Sequence, residues 1–175
     1  LLREKLNPKD MTATEPKLFA SIITLGNIVA LTYKRNARQL GMSQATSTCP
    51  EFLQGIIEDI TVFMDSLKMS IQYSVYTALG EIGRQGALNY LLGGAASLQQ
   101  EQIQDSKRRK VLTKQSIVQL LVQQLKKAKE AKIVESIATC LGYICLGEHE
   151  QSLVDEIINA LFYMNDFKAD EVQFT

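Results

Sequence analysis

The sequence predicts an all-α protein laid out as a stack of helical hairpins. Three observations carry that expectation. A four-residue pattern, Leu-Gly-x-Ile, recurs at residues 25–28, 79–82 and 141–144. Amphipathic segments with one apolar stripe alternate with these copies. Strand signals are thin: the chain has no Asn-Gly or Asp-Gly turn and no sustained alternation of apolar and polar residues.

Taken in order, a first helix (a B helix, carrying the repeated pattern) is expected near 17–40. Lys34, Arg35 and Arg38 fall late in it, where positive charge suits the carbonyl end. A polar insertion follows near 41–49 and ends at Pro50, a residue suited to a first helical turn. Residues 50–67 form an A helix, with Phe52, Leu53, Ile56, Ile57, Ile60, Phe63 and Met64 at three-and-four spacing. The second B helix covers 69–85. A longer insertion, near 93–113, holds Gly93-Gly94, a glutamine-rich stretch and Lys107-Arg108-Arg109-Lys110. The next A helix, 115–128, sets Ile117, Leu120, Leu121 and Leu125 on one stripe, and the third B helix spans 131–146. A last A helix near 151–164 uses Leu153, Ile157, Ile158, Leu161 and Phe162, and residues 170–175 read as the start of a further B helix.

Glycine in a helix interior costs on the order of 1 kcal/mol relative to alanine. At Gly26, Gly80 and Gly142 the cost recurs at equivalent positions. The expected reason is packing, since glycine lets a neighbouring helix approach closely. Leu25, Ile28, Leu79, Ile82, Leu141 and Ile144 are then core residues. The copies lie 54 and then 62 positions apart, beyond the roughly 40–47 of HEAT and armadillo repeats. The two insertions account for the excess. The expected fold is a HEAT-like α-solenoid of about three stacked hairpins. A fourth Leu-Gly, extrapolated from Val172, would fall about 39 residues after Leu141. The chain stops inside that helix without a polar capping helix. A fragment of a longer array is expected.

Composition narrows the function. Nineteen Lys and Arg balance nineteen Asp and Glu, which speaks against nucleic acid as a main partner, because phosphate contacts demand positive excess. Cys49, Cys140 and Cys145 are too few and too odd in number for a disulfide framework, which implies a reducing compartment. No apolar run reaches the roughly 18 residues of a membrane span, so no transmembrane segment is expected, and no signal peptide is visible. The one histidine, His149, is expected in an exposed turn. It has neither a nucleophile motif nor a set of metal ligands beside it. Glu58-Asp59 and Asp155-Glu156 read as solvated helix faces, and Lys126, Lys127, Lys129 and Lys132 as a solvated turn. No enzyme, cofactor or metal site is expected. The candidate partner-contact residues are Lys107, Arg108, Arg109 and Lys110, a basic patch on the long insertion.

One stretch is more specific than a generic repeat. Thr77-Ala78-Leu79-Gly80-Glu81-Ile82-Gly83-Arg84-Gln85-Gly86 resembles a "TALGEIGRNG" segment of the giant HEAT-repeat proteasome adaptor and scaffold family. Ala138-Thr139-Cys140-Leu141-Gly142-Tyr143 with Gly147-Glu148 is similar to that family's "IQTLGY…VGDG". Asp170-Glu171-Val172-Gln173-Phe174-Thr175 is similar to its "ELQFT". The loops at 41–49 and 86–113 depart from the family pattern. The resemblance implies a non-catalytic scaffold that binds proteins, with 26S proteasome subunits as partners. It also implies a place in the cytoplasm and nucleus, and peripheral association with organelle membranes. The alternative is a HEAT scaffold of another system, a nuclear-transport receptor or a phosphatase regulatory subunit.

Overall fold

The computed structural model describes residues 15–40, 51–91 and 112–172, with side chains to 38 and 162 in the first and last of these. Among the described residues there are six α-helices and no strand: α1 (Glu15–Leu40), α2 (Glu51–Thr61), α3 (Met69–Arg84), α4 (Lys114–Lys127), α5 (Ala131–Gly147) and α6 (Gln151–Val172). A 3-10 turn, Val62–Asp65, joins α2 to α3, and another, Ala87–Tyr90, follows α3. The all-α, HEAT-like expectation agrees with this architecture. The helices form two layers. Helices α1, α3 and α5 carry the Leu-Gly pattern and pack directly on one another, while α2, α4 and α6 lie against them. Thus α2–α3 and α4–α5 are hairpins, with α1 and α6 as flanking halves. Helix α6 runs on to Val172, through the position where a new B helix is expected at 170; residues 173–175 lie outside the described residues.

Each B helix starts eleven residues before its glycine, at Glu15, Met69 and Ala131. The equal spacing keeps the three in register, side by side and parallel. The register rests on the absence of side chains. A β-carbon placed on Gly26 would lie 2.6 Å from the β-carbon of Ala78, and one on Gly80 would lie 3.3 Å from the α-carbon of Cys140. One on Gly83 would meet the α-carbon of Ile144 at 2.9 Å. Gly26 and Gly80 therefore each face the residue two before the glycine of the next B helix, and Gly83 faces the residue two after it. Gly142 departs from the expectation, with nothing within 4 Å of its β position.

The core is one continuous cluster through both layers. Ile22, Leu25 and Val29 of α1 join Ile56, Ile57 and Ile60 of α2 and Val75, Leu79 and Ile82 of α3. It continues with Ile117 and Leu121 of α4, Ile137, Leu141 and Ile144 of α5, and Leu153 and Ile157 of α6. Each such side chain contributes roughly 1.5–3 kcal/mol by leaving water. Helix α4 begins with a reciprocal cap: Thr113 Oγ1 accepts from Ser116 N at 3.1 Å, and Thr113 N donates to Ser116 Oγ at 2.8 Å.

Several expected core positions are exposed. Ile28 is 38% exposed although Ile82 and Ile144, its equivalents, are buried. The position faces backward, toward the preceding B helix, and among the described residues α1 has none. Phe52, Leu120, Ile158 and Phe162 also face outward. Their stripes are real, but the flank pressed against the B layer is Leu53-Ile57-Ile60 in α2, Val118-Leu121-Leu125 in α4 and Leu153-Ile157 in α6.

The expectation of no membrane-length apolar segment needs correcting. By length and mean hydropathy, Glu15–Arg38 of α1 is long and apolar enough to cross a membrane. Thr24, Asn27 and Thr32 interrupt the run without lowering the mean below that range. The buried stripe of this helix, Ile22, Leu25, Val29 and Tyr33, belongs to the protein core, which is reason enough for its apolar composition.

Candidate protein-docking surface

The candidate residues Lys107, Arg108, Arg109 and Lys110 lie outside the described residues. What the described helices assemble instead is a B-layer surface with a groove and two end faces.

Between α3 and α5 runs a groove of about 500 Å³, lined by Tyr73, Tyr76 and Thr77 on one side. Lys132, Glu135, Ser136, Thr139, Cys140 and Tyr143 line the other. Helical spacing places these side chains on facing flanks, and Gly80 lets the two backbones close beneath them. Small hydroxyls keep the wall smooth because their own helices satisfy them. Thr77 Oγ1 donates to Tyr73 O at 2.9 Å and Ser136 Oγ to Lys132 O at 2.7 Å. Aromatic rings mark the rim. Phe19 of α1 stacks on Tyr73 with centroids 6.5 Å apart. The Arg84 guanidinium lies 5.6 Å from the Tyr143 ring centroid and donates from Nε to Glu81 Oε2 at 2.9 Å. Glu15 at the helix starts accepts from Lys68 Nζ at 2.8 Å and from the Ser70 hydroxyl. Those two donors hold its carboxyl below the usual carboxylate range.

A polar chain crosses all three repeats at the opposite end of the B helices. Asn89 Nδ2 donates to Tyr33 Oη at 3.3 Å, and Lys114 Nζ donates to Asn89 Oδ1 at 3.0 Å. Lys114 also pairs with Glu148 at 3.3 Å and Glu150 at 3.5 Å. Lys114 and Glu148 keep only 12% and 5% of their side-chain surface exposed. Glu148 Oε1 further accepts from His149 N at 2.8 Å and Glu150 N at 3.0 Å, closing the turn before α6. Sequence reading does not find this chain, because Tyr33, Asn89, Lys114 and Glu148 share no spacing or motif. His149 is exposed in that turn. Lys126, Lys127, Lys129 and Lys132 surround the α4–α5 turn, all exposed.

Two ionisable groups at the floor of the groove are dry. Burial first, then the charges of Cys140 and Asp65, push the Tyr76 hydroxyl up to about 12, and burial alone pushes the Cys140 thiol up. Both are neutral acids whose folded pKa exceeds the unfolded value. Their contribution is complete below the unfolded values of 9.0 and 10.0 and is lost as pH rises above them. Urea unfolding should therefore show stability falling from about pH 9 upward, and Cys140→Ala should make that fall shallower, leaving the part owed to Tyr76 and to Cys145, whose thiol burial and Glu148 also push up. A stability flat to about pH 11 would contradict the burial of both groups.

Two joined hairpins with half-repeats on either side, held in one parallel register, define a segment of α-solenoid. Within that class, the chain is similar to the human proteasome adapter and scaffold protein ECM29, with 28% identity over 166 residues. The match takes in 90% of this chain and 8% of that protein, so the chain spans a small part of the relative's length. The relationship is distant. No family model matches the chain, and no solved structure matches it.

Proposed function

We propose that this chain is a non-catalytic, protein-binding stretch of solenoid scaffold that associates with the 26S proteasome, tethering or stabilising it and linking it to other proteins. The observation carrying this reading is the similarity over nine-tenths of the chain to a protein named as a proteasome adapter and scaffold. The architecture supports the scaffold part, since stacked hairpins present extended surfaces suited to proteins. Function then consists of geometry: rigid spacing of docking surfaces, with no bond made or broken. Cytoplasm, with the nucleus as a second compartment, suits free thiols such as the buried Cys140.

Affinity capture with the full chain from a cell extract tests the reading. Proteasome subunits should be enriched over a control solenoid. Recovery of Ran or a phosphatase catalytic subunit in their place would move the chain to another HEAT scaffold, and hydrolase or transferase activity in the purified chain would overturn the non-catalytic part.

A further inference from the structure

The two junctions of the B layer share one register and differ in what fills them. Between α1 and α3, Glu15 accepts from Lys68 Nζ at 2.8 Å and from the Ser70 hydroxyl, and Phe19 stacks on Tyr73. A carboxylate and a ring from one helix thus meet donors and a ring on the next. Between α3 and α5 the equivalent positions hold other residues. Met69 stands where Glu15 does, Lys132 where Ser70 does, and Glu135 where Tyr73 does. Lys132 therefore receives no carboxylate from α3, and it forms no ion pair among the described residues. Tyr73 meets no ring on α5. The groove of about 500 Å³ opens at this second junction. Both of its walls come from consecutive repeats inside the chain, so it does not depend on what precedes or follows them.

We propose, resting on the protein-binding reading above, that the α3–α5 groove docks an acidic segment of a protein partner. The segment sets a large aromatic side chain between Tyr73 and Tyr143 and a carboxylate at Lys132, the two groups that the first junction supplies for itself. The length of the groove and its mouth call for these different groups. Along the walls, Thr77 and Ser136 already donate to carbonyls of their own helices, and Tyr76 and Cys140 in the floor are buried. Nothing there rewards a charge, whereas a ring gains by leaving water and by contact with the tyrosines. Arg84 over the Tyr143 ring steadies one wall. At the mouth the cations are Lys132 and, on the turn leading into α5, Lys127 and Lys129, all exposed; Glu130 and Glu135 oppose them. The balance is positive. The amide end of α5, with no acidic residue in its first turn, adds to it. A chain of zero net charge offers a phosphate backbone little beyond this mouth, which favours an acidic peptide over nucleic acid.

Calorimetric titration of the full chain with short synthetic peptides tests the proposal. A peptide with a run of glutamates beside one phenylalanine should bind. Replacing its glutamates with glutamine, or its phenylalanine with alanine, should weaken binding by about tenfold each. Lys132→Glu should weaken the same peptide by about tenfold, and Thr139→Trp, which fills the groove, should abolish its binding. Both positions are exposed, so circular dichroism and melting should stay unchanged. Failure of the acidic peptide to bind would overturn the proposal, as would equal binding of a lysine-run counterpart or of single-stranded DNA. Variants that bind the peptide like the wild type would overturn it too. Proteasome capture by a chain that ignores the acidic peptide would sink the groove and leave the scaffold reading standing. Groove-dependent peptide binding without proteasome capture would do the reverse.

Discussion

Glu148→Ala should lower the unfolding free energy by about 3–5 kcal/mol, the largest loss expected of any single polar substitution among the described residues. The Lys114 ammonium is nearly enclosed, with Glu148 and Asn89 Oδ1 as close acceptors and Glu150 at its more exposed edge. Removing Glu148 leaves a buried cation short of its main counter-charge, and such a cation cannot recover full hydration. The same change frees the His149 and Glu150 amides that Glu148 caps. Glu148→Gln separates the two effects, because its side-chain oxygen still caps the turn while the charge is lost. Against a typical total of roughly 5–15 kcal/mol, the alanine variant should be close to unfolding at physiological temperature. Replacing both partners with methionine should restore most of the loss, since two apolar groups leave nothing unpaired. Urea midpoints for the wild type, both single variants and the double variant measure this. A loss below about 1 kcal/mol for Glu148→Ala would mean that water reaches Lys114 freely. Moderate salt should change little, because the pair is shielded from mobile ions.

How much of this was legible beforehand depends on the kind of signal. The B layer was legible because its constraint is local and repeated: a glycine between two aliphatic residues marks a helix that touches another helix at backbone distance. The stripes of α2, α4 and α6 were legible as stripes, yet Phe52, Leu120, Ile158 and Phe162 fell on the wrong flank. Periodicity reports that a helix has an apolar side about 100° wide; it does not report where a neighbour ends. Ile28 is exposed for a different reason. Its burial depends on a preceding helix, which no feature of residues 25–28 encodes. The Lys114–Glu148 pair was invisible because its members are distant in sequence, and because a lysine opening a helix carries no mark of burial. The same limit applies to the groove. Tyr73, Tyr76 and Tyr143 become neighbours only once the spacing of α3 and α5 is set by Gly80.

That spacing can be perturbed directly. Gly83→Ala should destabilise the chain by about 1–3 kcal/mol, whereas Gly142→Ala, in the next B helix, should be neutral or stabilise it by up to about 1 kcal/mol. The chemical change is identical and both residues are in helices, so propensity favours alanine equally at the two sites. Surroundings make the difference. At Gly83 the added methyl would press on Ile144, including its α-carbon at 2.9 Å, which belongs to a helix backbone and cannot rotate aside. Either α3 and α5 separate, reducing the burial of Ile82 and Ile144, or the strain stays in place. At Gly142 the methyl meets nothing within 4 Å, and only the entropic gain remains. Equal effects at the two sites would show that Gly83 and Gly142 act through helix propensity rather than contact, and the register argument would fail with them. The opposite signs expected here follow from one fact of packing: in a stack of helices a glycine matters only where another helix lies against it.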